Sequence, residues 1–352
     1  MILITGAAGY IGSHCAAELL IKGFNLVLFD NLETGHLKTV ETLQNFNEKG
    51  KVLDFIKGDL QNFDEINNVF KKYKIEGVIH CAANSLVEES VKNPQKYYFN
   101  NVFGSLNLFR AMLENNVKNI VFSSTAAVYG EPEYLPLDEK HSCKPVNVYG
   151  ESKLAIEKIL VDYEKAYGMK SIIFRYFNVA GADIKGRLGE NHNPETHLVP
   201  NILKSTFEKG RVFKMFGADY DTKDGTCIRD YVNVEDLASA HRLGLEKLLR
   251  IGEPGIYNLG TQDGFTVKEI FDICEKVTGQ KIAVQVCPPR GGDPVKLIAN
   301  SDKAKKELNW MPERTIFDTI ESAYKWEKKI NERYSISGRS GYEALSGQHT
   351  DF

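Results

Sequence analysis

Short apolar segments alternate with longer amphipathic segments through the first half of the chain. Six segments are short and apolar and are predicted to be strands: 2–5, 25–29, 51–57, 77–80, 119–123 and 170–176. Four intervening segments have the apolar spacing of helices: 12–22, 63–74, 94–115 and 149–167. Strands that alternate with helices and are apolar on both faces indicate a parallel sheet covered on both sides. The pattern therefore predicts a doubly wound, Rossmann-type α/β domain.

The regular alternation ends near residue 177. Glycine, proline and asparagine are frequent in 178–200, and the helices and strands that follow come in a less regular order. We predict a nucleotide-binding domain at 1–177 and a smaller C-terminal α/β lobe for substrate at 178–333. The stretch at 230–249 is predicted to return to the first domain. The Ser/Gly-rich tail at 334–352 is predicted to be flexible.

The composition limits the classes of partner. The chain carries 44 Lys and Arg against 47 Asp and Glu, a formal net charge of -3, which favours neither nucleic acid nor an anionic membrane surface. No apolar run approaches the length of a membrane span, and Met1 is followed by an apolar segment rather than by the charged start of a secretory signal. The six cysteines are scattered without metal-ligand spacing. We therefore expect reduced thiols, no metal and a cytoplasmic protein.

The first predicted strand leads directly into a glycine-rich turn, TGAAGYIG at 5–12. Gly6 would allow the tight turn, Gly9 a close approach of backbone N–H groups to a pyrophosphate, and Gly12 the packing of the helix on the sheet. The pyrophosphate would lie at the helix N-terminus, where free N–H groups and the helix dipole favour negative charge. A glycine-rich turn alone is equally compatible with a connection that binds nothing.

Acidic residues at the next two strand ends favour a dinucleotide. Asp30 and Asn31 end the second strand, where a carboxylate can bind the 2′-OH of the adenosine ribose. A carboxylate there would repel a 2′-phosphate, so the sequence predicts NAD rather than NADP. Asp59 ends the third strand and could accept a hydrogen bond from the adenine amino group. The glycine spacing resembles that of the extended short-chain dehydrogenase/reductase superfamily.

A tyrosine and a lysine four positions apart predict the catalytic groups. Tyr149 and Lys153 would lie on one face of a helix. A free tyrosine has a pKa of about 10, which a nearby ammonium and a positive nicotinamide ring would lower. Lys153 could also bind the nicotinamide ribose, and Thr125, just past a strand end, could bind a sugar hydroxyl and share a proton with Tyr149. The pair alone is common on solvated helices, but with Thr125 it forms the superfamily's triad and predicts redox chemistry at a carbinol carbon.

Five longer segments resemble the UDP-glucose 4-epimerase family. They are SSTAAVYG at 123–130, RYFNVAGA at 175–182, ETHLVP at 195–200, DGTCIRDYVNVED at 224–236 and RGGD at 290–293. The resemblance extends over nearly all of 1–326. It implies a UDP-sugar substrate whose C4 is inverted through a 4-keto intermediate, with tightly bound NAD. It also implies a homodimer formed by the helices at 94–115 and 149–167.

The resemblance implies two sets of contacts. Those to NAD are Gly6, Gly9, Tyr10, Ile11, Gly12, Asp30, Asn31, Asp59, Leu60, Cys81, Ala82, Ala83, Asn100, Ser123, Tyr149, Lys153 and Phe177. Those to the UDP-sugar are Thr125, Tyr149, Asn178, His197, Leu198, Val199, Arg229, Arg290, Asp293 and Leu297. Arg229 and Arg290 offer planar donor groups suited to a diphosphate, although each in isolation would more often form a surface salt bridge. Asp293 can bind the ribose hydroxyls of uridine.

Two positions affect how far the resemblance extends. Ser85 stands where some relatives carry a lysine near the cofactor diphosphate, so that contact is weakened or supplied elsewhere. Leu297 aligns with the position that controls the size of the sugar pocket. Its intermediate size leaves open whether N-acetylated UDP-sugars are accepted.

Three other functions are compatible with the same scaffold. A nucleotide-sugar 4,6-dehydratase or decarboxylase is the nearest, but a dehydratase needs an acid–base pair beside Thr125, where Ala126 and Ala127 stand. A non-catalytic NAD-binding sensor could dispense with Tyr149 and Lys153, and both are present. A reductase with exchangeable NADPH is disfavoured by the acidic residue at the end of the second strand.

Overall fold

The computed structural model describes residues 1–208, 210–289 and 294–336, with side chains up to residue 332. The strands are β1 (Ile2–Thr5), β2 (Leu26–Asp30), β3 (Leu53–Lys57), β4 (Gly77–His80), β5 (Asn119–Ser123), β6 (Lys170–Tyr176), β7 (Asn178–Ala180), β8 (Phe213–Phe216), β9 (Ile228–Asn233), β10 (Gly255–Leu259), β11 (Gly264–Thr266), β12 (Val284–Cys287) and β13 (Lys296–Leu297). The helices are α1 (Tyr10–Lys22), α2 (Leu37–Leu43), α3 (Phe63–Lys72), α4 (Val87–Lys92), α5 (Pro94–Tyr97), α6 (Gly104–Glu114), α7 (Val148–Tyr167), α8 (Leu198–Lys204), α9 (Val234–Ile251), α10 (Val267–Thr278), α11 (Asp302–Leu308) and α12 (Ile316–Ile336).

Seven parallel strands form the large sheet, in the order β10-β6-β5-β4-β1-β2-β3. Successive residues of the central strands point to opposite faces, as the pleat requires. Leu3 and Val27 therefore belong to one hydrophobic core, while Ile4 and Leu28 belong to the other. Both cores are covered by helices, which confirms the predicted doubly wound α/β fold.

The helices divide between the two faces of this sheet. Helices α1 and α9 pack against each other on one face, and α3 packs against α6 on the other. The segment at 94–115, predicted as one helix, contains α5, a π-helical turn at Tyr98–Phe103 and α6. A π-helical turn widens the helix locally, and the spacing of apolar residues does not predict it.

The smaller lobe is built around strand β9. Strands β7, β11 and β13 pair with β9, and β8 pairs with β12 in a separate two-stranded sheet. Helices α8, α10 and α12 enclose the core of this lobe through Ile202, Ile270 and Ile320. None of the described helices combines the length and the apolar character that crossing a membrane would require.

The return to the first domain is longer than the predicted stretch at 230–249. Helix α9 packs on α1, and β10 then adds to the edge of the large sheet beside β6. Tyr257 and Leu259 of β10 are fully buried, so this strand contributes to the first core even though it is distant in sequence. The division at residue 177 stays a prediction, and the tail beyond residue 336 lies outside the described residues.

Candidate functional site

A cavity of about 1310 Å³ lies where the carboxyl ends of the parallel strands meet the smaller lobe. This is the position at which open parallel α/β sheets bind ligands. The predicted site residues that line it are Gly6, Gly9, Tyr10, Ile11, Gly12, Asp30, Asn31, Asp59, Leu60, Cys81, Ala82, Ala83, Asn100, Thr125, Tyr149, Lys153, Phe177, Asn178, His197, Leu198, Val199, Arg229 and Leu297. Arg290 and Asp293 lie outside the described residues, so their roles stay predictions.

The glycine-rich turn approaches the neighbouring strand end too closely for a side chain. Gly6 has a φ of +69°, and a Cβ there would lie 2.6 Å from the backbone nitrogen of Ala82. A Cβ on Gly12 would lie 2.1 Å from the carbonyl oxygen of Gly6. Gly9 caps α1, and the first residues of that helix line the cavity. The turn thus presents a helix N-terminus that is open to an anionic group.

The Asp30 carboxylate is oriented by the backbone around it. Its two oxygens accept hydrogen bonds from the backbone N–H groups of Ala8, at 2.9 Å, and Leu32, at 2.8 Å. Burial raises the pKa of Asp30, and these two bonds oppose the rise. Asn31 donates from its side chain to Asp59 at 3.1 Å, so the residues at the ends of β2 and β3 are linked. Each Asp30 oxygen retains a second lone pair with which to accept from a ligand hydroxyl.

Tyr149 and Lys153 lie one turn apart on α7 and are both buried. Burial raises the pKa of Tyr149 to about 12, while a hydrogen bond with Thr125 acts in the opposite direction. Burial lowers the pKa of Lys153 to about 8. The Lys153 ammonium donates to the Ser123 carbonyl at 2.8 Å and is 6.0 Å from the centre of the Tyr149 ring. Burial of the phenol therefore dominates in the protein without a cofactor, and the lowering of the Tyr149 pKa by Lys153 together with a positive nicotinamide ring stays a prediction.

Ser123 is buried behind the cavity and does not form part of its wall. Its hydroxyl pairs with His241 Nε2 at 2.8 Å and with the Cys81 thiol at 3.3 Å. Its backbone carbonyl holds the Lys153 ammonium. The residue positions Lys153 in this structure, while direct contact with a cofactor stays a prediction.

A buried ion pair that the sequence analysis missed anchors α7 to the sheet. Arg175 of β6 donates from Nη2 to Glu157 at 2.6 Å and from Nε at 3.1 Å. Glu157 also accepts from the Ser124 hydroxyl, one residue before Thr125. Tyr149, Lys153 and Glu157 follow one another at intervals of four residues on α7. That spacing was the available signal, because it places Glu157 on the same face of the helix.

A second anchor holds the start of α7. The backbone N–H of Tyr149 donates to the Ser90 hydroxyl of α4 at 3.2 Å. Asn101, in the π-helical turn, donates to the Ser152 hydroxyl at 3.1 Å and to the Asn84 carbonyl at 3.0 Å. These bonds satisfy backbone and side-chain groups near the first turn of the helix and fix where the Tyr149 side chain enters the cavity.

Three predicted substrate residues come together through strand pairing in the smaller lobe. Leu297 of β13 is the register partner of Arg229 in β9, and Asn178 of β7 pairs with the same strand two residues further on. All three line the cavity. His197 caps α8, whose first residues, Leu198 and Val199, form another part of the wall.

Comparisons with known proteins agree with this geometry. A sequence model of the NAD-dependent epimerase/dehydratase family matches residues 2–260. The UDP-glucose 4-epimerase of Halalkalibacterium halodurans is 45% identical over 339 residues, which cover 96% of this chain and 98% of that enzyme. The UDP-glucose 4-epimerase of Bifidobacterium longum, solved in complex with NAD+ and UDP, superimposes with a TM-score of 0.88 at 38% identity, covering 93% of this chain and 98% of that one. The UDP-Glc/GlcNAc 4-epimerase of Campylobacter jejuni is 38% identical with a TM-score of 0.81 and covers 93% and 99%.

Proposed function

The chain belongs to the NAD-dependent epimerase/dehydratase family, and from that premise we propose that it is an NAD-dependent UDP-glucose 4-epimerase. It interconverts UDP-glucose and UDP-galactose by inverting C4. The observation that carries this conclusion is the placement of Tyr149, Lys153 and Thr125 in one cavity with the glycine-rich turn and the smaller lobe. A cofactor, a proton-transfer group and a sugar nucleotide can therefore meet there.

The residues of the cavity fit NAD. A Cβ at Gly6 or Gly12 would meet neighbouring backbone, so these glycines keep the turn tight, and the N-terminus of α1 that the turn leaves open suits a pyrophosphate. Asp30 stands at the end of β2 with both oxygens oriented, where it would bind the ribose 2′-OH. Bound NAD supplies a reversible acceptor for the hydride at C4 of the sugar.

Tyr149 moves the proton in this reaction. In its phenolate form, which the positive charges of Lys153 and of the nicotinamide ring would stabilise against the effect of burial, its oxygen would take the proton of the sugar 4-OH as the hydride leaves C4, and the alcohol becomes a ketone. Lys153, with a pKa lowered to about 8, still carries its proton at neutral pH and supplies positive charge on the same face of α7. When the hydride returns to the opposite face of the ketone, Tyr149 gives the proton back to the oxygen.

Inversion requires a sugar that can turn and a nucleotide that cannot. We infer that Asn178 and Arg229 hold the diphosphate, since both lie on the β9 sheet at the wall of the cavity. The first turn of α8, with Leu198 and Val199, would contact the nucleotide beside them. Anchoring at the UDP end leaves the keto sugar free to rotate and present its other face.

The test is turnover of UDP-galactose by the purified full-length protein without added cofactor. We expect UDP-glucose to form, measured by anion-exchange chromatography, because the NAD used is regenerated in each cycle. GDP-mannose serves as the control substrate and should remain unchanged. Absence of UDP-glucose after addition of NAD+ to protein shown to be folded by circular dichroism would overturn the proposal.

We propose in addition that N-acetylated UDP-sugars are substrates. Leu297 is half-buried in the cavity wall and leaves more space than an aromatic side chain would. Leu297→Tyr is expected to lower kcat/KM for UDP-GlcNAc by at least about tenfold, which corresponds to about 1.4 kcal/mol of lost transition-state binding, with less effect on UDP-glucose. Leu297→Met conserves volume and serves as the control. Equal losses on both sugars in the tyrosine variant would exclude a size-selective role for this position.

We propose that two copies associate through the segment at 94–115 and α7. The π-helical turn in that segment exposes Tyr98, Phe99 and Phe103, and Phe99 is 52% exposed with its ring 4.9 Å from that of Phe103. A patch of this kind on one face marks an interaction surface. Phe99→Asp combined with Phe103→Asp is expected to give a monomer in light scattering, whereas Ile251→Asp, at an exposed position on α9, should leave the dimer intact. A monomeric wild type would contradict the proposal.

A cytoplasmic location is also proposed. All six cysteines are free thiols in the described structure, as expected for a protein of a reducing compartment.

A further inference from the structure

Two histidines and two glutamates form a compact cluster on the lobe side of the cavity. One ligand atom from each of Glu190, His192, Glu195 and His197 lies within 4.8 Å of the others. His197 Nδ1 is 2.7 Å from Glu190 Oε1 and 2.9 Å from Glu195 Oε1, and His192 Nδ1 is 3.1 Å from Glu190 Oε1. Two imidazole nitrogens and two carboxylate oxygens are a ligand set that suits Zn2+.

Local structure holds these groups in place. Glu195 Oε1 accepts hydrogen bonds from the backbone N–H groups of Thr196, at 2.9 Å, and His197, at 3.0 Å. The ammonium of Lys204, the last residue of α8, lies 3.5 Å from the other oxygen of Glu195. Hydrogen bonds of this kind orient the carboxylates of metal sites.

Hydrogen bonds do not satisfy every polar group of the cluster. His197 Nδ1 can carry one hydrogen, yet it lies within hydrogen-bond distance of two carboxylate oxygens. The second oxygen of Glu190 is buried without a hydrogen-bond partner, and the residue is only 4% exposed. A buried carboxylate with one unpaired oxygen is costly unless a further donor or cation is present.

We propose that Glu190, His192, Glu195 and His197 form a binding site for one Zn2+-like divalent transition-metal ion. The ion would tie together the segment that forms one wall of the cavity and leads into α8. Coordination through Nδ1 of His197 turns the opposite ring nitrogen away from the ion. The proton-transfer groups Tyr149 and Thr125 are not ligands, so the role of the ion is structural. The sequence analysis predicted no metal from the scattered cysteines and did not consider these four side chains.

The test is titration of the chelator-treated full-length protein with ZnCl2 in competition with a chromophoric zinc chelator. We expect one Zn2+ per chain, which MgCl2 at equal concentration does not displace, since Mg2+ prefers oxygen ligands. His192→Gln removes one ligand of the ion, and the side chain is partly exposed, so the substitution should not disturb packing. It should weaken Zn2+ binding by more than about 100-fold, because loss of a residue that only hydrogen-bonds to a ligand already costs about 10- to 100-fold. Glu190→Gln should weaken it similarly.

Cys287→Ser controls for zinc held by a thiol outside the cluster and should bind as the wild type does. A second measurement, the Tm with and without ZnCl2, should rise for the wild type and not for His192→Gln. No zinc binding, or equal affinity in wild type and His192→Gln, would show that the four side chains are only an ion-pair cluster. These measurements do not depend on turnover, so they stand whether or not the proposed function does.

Discussion

Tyr149→Phe is expected to lower kcat for the conversion of UDP-galactose by about 10²- to 10⁴-fold, the contribution usual for a positioned acid–base group. The substitution removes only the phenolic oxygen, and the buried ring still fills the same space in α7. KM should remain nearly unchanged, because the proton is transferred in the transition state and the nucleotide anchors are untouched. Steady-state kinetics at saturating UDP-galactose measure both quantities.

Tyr167→Phe is the matched control for this experiment. Tyr167 is the last residue of the same helix and is 51% exposed. The same chemical change there should leave kcat at the wild-type value. If Tyr149→Phe retained more than about a tenth of wild-type kcat, Tyr149 would not be the group that transfers the proton.

Glu157→Ala is expected to lower the free energy of unfolding by about 3–5 kcal/mol, the usual cost of breaking a buried ion pair. Arg175 is 4% exposed and Glu157 is 2% exposed, so the substitution leaves a guanidinium buried without its carboxylate. The Ser124 hydroxyl loses its acceptor at the same time. Urea unfolding followed by circular dichroism gives the change.

Glu164→Ala tests whether burial is the cause. Glu164 lies on the same helix and pairs with Lys170 at 3.1 Å, but both side chains are about a third exposed, so the loss should be about 0–1 kcal/mol. Replacing both partners, Glu157→Leu with Arg175→Met, should recover much of the stability, because no charge is then left unpaired. A loss for Glu157→Ala no larger than that for Glu164→Ala would contradict the proposed anchoring of α7.

The parts of the site that depend on neighbouring residues could be predicted from the sequence. The glycine spacing after β1 indicates where the turn approaches the backbone of neighbouring segments. The length of one strand–helix–strand unit determines the position of Asp30 at the end of β2. Tyr149 and Lys153 share a face because a helix repeats every 3.6 residues. The alternation of apolar strands and amphipathic helices likewise determined the doubly wound fold, since each pattern describes one element and its two faces.

Other features depend on contacts between segments that are distant in sequence and meet only in the folded chain. Asn178, Arg229 and Leu297 meet because β7 and β13 both pair with β9, and no local pattern specifies those partners. The raised pKa of Tyr149 results from burial by several elements at once. The pair of Glu157 with Arg175 likewise depends on how α7 packs against the sheet. Local periodicity encodes the elements of this protein, whereas burial and strand pairing decide the electrostatics of its site.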